Sequence, residues 1–315
     1  MGILERVPAC ATTGVGSLPF ADAGVAVDWV RSAYEVPFCP QLPRLDGDMV
    51  SEWLGADPCR CGWSAERDRE RPHAWEAFLG SMRSDPPAHG VAKLQVTGPL
   101  TLAAALEGRG SAGGVAQPDA GLVREMAAWI AASAAGQVRA LAQVGVDAVV
   151  QVDEPSLAAV APGVELALDA WGPVRAVAAA WGLHVCCEVP WGLVEEAQPD
   201  LVSFDATAAG AVDRAAGPLE GLIEREARVT WGVLTPGGSD GVAEGAAALA
   251  AGLAALKPGV DASVVLNASF VTGTCGTGVA TPERERRIGT ALDVTAAAGR
   301  ARAGSRVLDT TEALA

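Results

Sequence analysis

Residues Gly182–Pro190, GLHVCCEVP, form a run of apolar and β-branched residues bounded by Gly at one end and Pro at the other. That pattern predicts a short buried β-strand over Leu183–Val189. Side chains two positions apart on a strand share a face, so His184 and Cys186 project together and Glu188 continues the row. An imidazole and a thiol from one strand make half of a tetrahedral zinc site. Cys186 and Cys187 can also be read as small core residues, since free Cys is among the most buried types. A buried His needs partners for both ring nitrogens, and that reading supplies none.

Outward from this strand the chain alternates strand-like and helix-like segments. The strand candidates are Ala11–Leu18, Val36–Leu42, Val91–Thr97, Asp147–Asp153, Leu183–Val189, Asp200–Asp205, Val229–Leu234 and Ala262–Phe270. The clearest helical patterns are Asp119–Val144, Val164–Ala180, Glu244–Leu256 and Pro282–Gly299. Short apolar strands alternating with helices mean a parallel sheet covered by helices. Eight such units in 315 residues predict a single-domain α/β fold, a (β/α)8 TIM barrel. A doubly wound open sheet is the alternative, but GVGSLP after the first strand does not continue as the Gly-rich phosphate loop of that fold. The barrel is expected over 1–303, with a tail over 304–315. Residues 46–90 make an Arg-rich excursion over the barrel top, helical at Met49–Leu54 and Trp75–Met82. It holds Cys59-x-Cys61 and His73, a spacing that can bind metal, although no second Cys pair follows.

Half the residues are hydrophobic and few are aromatic, which suits closely packed, Ala-rich helices. A net charge of −15 argues against nucleic acid or an anionic membrane as partner. No apolar run approaches the roughly 20 residues that span a bilayer. The start, MGILERVPAC, lacks the basic and apolar regions of a secretory signal. Seven Cys, an odd number without regular spacing, argue against a disulfide framework, so a cytoplasmic, reducing setting is expected.

In a barrel, chemistry gathers at the C-terminal strand ends. Here those ends carry Gly16-Ser17, Thr97-Gly98-Pro99, Asp153-Glu154-Pro155, His184 with Cys186, Asp205, and Cys275 within GTCGTG. Asp205 can equally cap the turn to Thr207. Cys275 offers a second thiolate from across the barrel mouth, and Asp205 an oxygen. Zn²⁺ held by imidazole and thiolates, with a replaceable oxygen ligand, can deprotonate an incoming thiol and keep it as a nucleophile.

Five motifs, in order, carry a resemblance: TTGVGSLP (Thr12–Pro19), KLQVTGPLT (Lys93–Thr101), VQVDEPSL (Val150–Leu157), LHVCCEV (Leu183–Val189) and TGTCGTGVATPE (Thr272–Glu283). Together they resemble the catalytic C-terminal barrel of cobalamin-independent methionine synthase and its shorter single-barrel relatives. The resemblance implies zinc ligands at His184, Cys186 and Cys275. It also implies amino-acid contacts at Gly16, Ser17 and Asp153, with Glu154 beside them. Asp153 is expected to hold the ammonium of homocysteine. The family's fourth, displaceable ligand is a Glu, and Asp205 stands in its place, one methylene shorter, with Glu188 as the substitute. There is no room for the family's additional N-terminal barrel, and its aromatic pterin segment is missing. The donor is therefore expected to be methylcobalamin or a methylated corrinoid protein, and the acceptor homocysteine. The alternatives are alkyl transfer to coenzyme M, a metal-free uroporphyrinogen-decarboxylase-like barrel, and a non-catalytic binding barrel.

Overall fold

The computed structural model describes residues 2–55, 63, 72–108, 117–238, 242–255 and 261–312. Its sheet comprises β1 (Ala11–Thr12), β2 (Val91–Thr97), β3 (Asp147–Asp153), β4 (Ala180–Val185), β5 (Leu201–Asp205), β6 (Arg228–Leu234) and β7 (Ser269–Gly273). Every pairing is parallel, in the order β1-β7-β6-β5-β4-β3-β2, and helices cover the outer face. The architecture is TIM-barrel-like.

Strands β2 and β3 fall on their expected bounds. The expected strand over Val36–Leu42 is an irregular segment between β1 and β2. On one side the Val36 N–H donates to Thr12 O and the Gln41 N–H to Gly16 O. On the other, the Cys39 N–H donates to Lys93 O and the Lys93 N–H to Pro37 O. Only isolated bridges result, Ser17 with Gln41 and Phe38 with Lys93. Pro37 and Pro40 explain this, because neither has an N–H to extend a ladder. Among the described residues the sheet thus has seven regular strands rather than the eight expected.

Other boundaries also differ. β4 begins at Ala180 and ends at Val185, so Cys186–Val189 lie beyond it. The apolar run Ala262–Phe270 is a helix, Ala262–Asn267, followed by β7; the Asp261 side chain caps it by accepting from the Ser263 N–H. The final helix, Pro282–Glu312, continues through the stretch expected as a tail. The excursion is helical at Ser51–Leu54 and Trp75–Ser84. Trp75, Phe78 and Met82 pack beneath it on Val27, Leu94 and Leu141. Cys59 and Cys61 lie outside the described residues, while His73 Nδ1 meets Asp46 Oδ1 at 2.5 Å. No described helix is long and apolar enough to cross a membrane.

Register divides the interior into two levels. Low in the sheet, Val91, Val149, Ala180, Leu201, Phe270 and Ala11 form an apolar plug with Leu4 and Val7. Above it, Thr97, Asp153, His184, Ser203 and Thr230 stand side by side on β2 to β6. Paired residues of parallel strands share a face, so this row turns a polar layer toward the C-terminal end.

Candidate active site

A cavity of about 290 Å³ opens at that end, and Gly16, Ser17, Asp153, His184, Cys186 and Cys275 all line it. Six of the expected site residues therefore meet there.

His184 is buried on β4, and its Nδ1 lies 2.9 Å from Ser203 Oγ on β5. Its Nε2 is buried without a hydrogen-bond partner among the described residues. When Nδ1–H donates to Ser203, Nε2 presents a lone pair, the arrangement common to metal-ligating histidines. Burial, assisted by the Lys93 charge, pulls the imidazole pKa down to about 3 and keeps it neutral.

The Cys186 and Cys275 thiols line the same cavity, and each shifts the other's titration. Cys275 pushes Cys186 up, and burial adds to it. Cys275 is drawn down to about 6, first by Cys186 and then by the Gly276 N–H, against its own burial. The loop bearing Cys275 is firmly held. The Thr277 N–H donates to Ser17 O and the Thr277 hydroxyl to Glu285, which also accepts from Trp29 Nε1 and Tyr34 OH. A Cβ on Gly276 would lie 2.8 Å from Ser17 Cβ, so the two loops meet only because residue 276 is glycine.

Asp153 is buried, and its Oδ1 accepts from Gln151 Nε2 at 2.9 Å. Burial raises its pKa to about 7, opposed by Lys93. Lys93 is itself almost fully buried; its Nζ donates to Val15 O at 2.8 Å, and burial lowers its pKa to about 8. Ser17 Oγ donates to Gln41 Oε1 at 2.7 Å, tying the first loop to the irregular segment.

Three expected residues stand elsewhere. Glu154 faces away from the cavity: its carboxylate accepts from the Leu100 N–H, the Thr101 N–H and hydroxyl, and Trp171 Nε1. It caps the helix Pro99–Leu106 rather than lining the cavity. Asp205 and Glu188 line a neighbouring pocket of about 430 Å³, which shares Cys186 as a wall. Asp205 Oδ1 accepts from the Thr207 N–H and hydroxyl, the capping role that competed with metal ligation. Glu188 is exposed, because the chain leaves β4 after Val185 and the two-residue alternation ends there.

Reasoning from sequence missed Ser203, Lys93 and Gln95. Strand alternation was the available signal for Lys93 and Gln95, which share the face of Thr97, and for Ser203, which shares the face of Asp205.

The donor chemistry fits zinc: a neutral imidazole with one nitrogen held and the other bare, and two thiols on the same cavity. The side chains are not drawn together as a coordination shell. Among the described residues no three of His, Cys, Asp and Glu converge closely enough to hold a metal ion.

No protein-family model matches the sequence, and no curated protein sequence matches it. Solved structures do resemble its fold. One is a B12-independent methionine synthase from Shewanella sp. W3-18-1, in complex with selenomethionine. The two superpose with a TM-score of 0.63 at 13% identity, over 93% of this chain and 98% of that one. At that identity the likeness is one of fold.

Proposed function

We propose that the chain is a zinc-dependent methyltransferase that methylates a thiol, with homocysteine as acceptor and methionine as product. The observation that carries this reading is the buried Nε2 of His184, without a partner among the described residues, in a cavity shared with Cys186 and Cys275. The fold likeness to a methionine synthase supports the same reaction class. His184, Cys186 and Cys275 would hold the ion; rotation about χ1 lets each thiol turn to the imidazole. Bound there, zinc supplies a lowered pKa for the acceptor thiol.

The chain's own residues do the rest. Ser203 fixes the imidazole. Asp153 offers a carboxylate to the acceptor's ammonium, while the Gly16-Ser17 backbone and hydroxyl receive its carboxylate. The Glu285 network holds the Cys275 loop against Ser17. The acceptor sulfur gains the methyl carbon and loses its proton, and the donor keeps the bonding pair. Asp205 would serve as a fourth ligand only if its bonds to Thr207 were released.

The donor in this reading is methylcobalamin or a methylated corrinoid protein. A cobalt–carbon bond presents a methyl group without the protonation and pterin grip that a methyl-folate needs. The test is methionine formation from homocysteine by zinc-loaded protein with each donor. Turnover is expected with methylcobalamin and little or none with methyltetrahydrofolate. Efficient transfer from the folate would overturn the donor assignment. No transfer from either, followed by alkylation of coenzyme M, would overturn the acceptor.

A further inference from the structure

Gln95 has a buried oxygen that no described residue uses. It stands on the inner face of β2, lines the cavity, and its Oε1 has no hydrogen-bond partner among the described residues. Its other end is fixed, because Nε2 donates to Cys39 O. Exchanging the amide nitrogen and oxygen would set two acceptors against each other, so Oε1 is identified by its neighbour. Gly16 packs directly on the side chain: a Cβ there would lie 2.9 Å from Gln95 Cγ. The amide is thereby clamped between the Gly16 loop and the Cys39 carbonyl.

Two donors on the same inner surface bond to other acceptors. Lys93, two residues earlier on the same face, donates to Val15 O. Gln151, its register partner on β3, donates to Asp153 Oδ1. A buried carbonyl oxygen left without a donor is costly, and native structures seldom keep one without a reason. A carboxamide oxygen only accepts, so what completes it must carry N–H or O–H.

We infer that Gln95 is a specificity-determining residue whose Oε1 accepts an N–H from the acceptor's ammonium, beside Asp153. This rests on the functional reading above and narrows it to thiols that carry an amine. Asp153 pairs with Thr97, so Gln95 and Asp153 lie diagonally on neighbouring strands. Strand spacing and rise put their Cα atoms about 8 Å apart, near enough for a long amide and a carboxylate to share one ammonium. The two acceptors divide the work: the carboxylate supplies charge and the carboxamide direction. A thiol without an amine, such as coenzyme M, would bury Oε1 unsatisfied, and sites built to bond a polar group reject analogues lacking it.

The test is calorimetry on the zinc-loaded full chain with homocysteine and with 4-sulfanylbutanoate, the same molecule without its amine. The natural protein should prefer homocysteine by at least about 10-fold. Gln95→Met should weaken homocysteine binding by about 10- to 100-fold and leave 4-sulfanylbutanoate little changed, so that the preference shrinks by that factor. Equal weakening of both ligands would overturn the inference, since Gln95 would then only brace the Cys39 segment. An undiminished preference in Gln95→Met would also overturn it, with an ordered water as the partner of Oε1, and would leave the functional reading standing. Absence of preference in the natural protein would overturn it however the variant folds. Failure of the zinc-loaded natural protein to bind homocysteine at all would sink both.

Discussion

His184 lies in the polar row with an imidazole that burial keeps neutral, and that has a consequence in acid. Its folded-state pKa of about 3 lies below the ordinary value of 6.5. Between those values the unfolded chain binds a proton that the folded chain refuses, so stability falls as pH falls from 6.5 toward 3. For metal-free protein this contribution should be on the order of 4 kcal/mol across the window. Urea unfolding at a series of pH values should show the loss, and His184→Gln should flatten that part of the profile. An unchanged slope in the variant would mean that His184 titrates as freely folded as unfolded. At this scale the site was legible where a residue stands within a regular strand. Asp153 and His184 each face inward at the end of a strand whose alternation could be counted. Glu154 was legible too, since adjacent strand residues face opposite sides, but an acidic pair at a strand end reads as one feature. Glu188 was not, because its placement depends on β4 stopping at Val185.

At the scale of elements, the second and third motifs interlock. The Gly98 N–H donates to Asp153 O at 2.8 Å, joining the ends of β2 and β3. Pro99 opens the next helix, whose N–H groups converge on Glu154. A Cβ on Gly98 would stand 2.0 Å from Glu154 Cδ, inside a fully buried contact. Gly98→Ala must therefore displace the capping carboxylate, and should cost about 2–4 kcal/mol in urea unfolding. In the same experiment Gly108→Ala, whose Cβ meets nothing within 4 Å but whose φ is +68°, should cost less, about 1 kcal/mol. Elements were readable where burial on both faces left a continuous apolar strand, as in β2 and β3. Pro37 and Pro40 disguised the seam, since their effect on the ladder depends on which neighbours they would have paired with. Ala262–Asn267 was read as strand from its valines, when the Asp261 cap marked a helix start.

At the scale of the whole molecule, alternation carried the α/β class and the parallel sheet, but not the irregular segment that stands between β1 and β2 in place of a regular strand. The same fold brings His184, Cys186 and Cys275 onto one cavity from the ends of β4 and β7, residues nearly 90 positions apart. The most direct test of the account is zinc content by elemental analysis after loading and dialysis. The natural protein and Cys187→Ala should hold about one zinc per chain. Cys187 lines the neighbouring pocket with Asp205 and Glu188, outside the cavity that His184 and Cys275 share. Cys186→Ala and Cys275→Ala should lose most of theirs. Equal zinc in all four proteins, or none in any, would contradict the proposed centre.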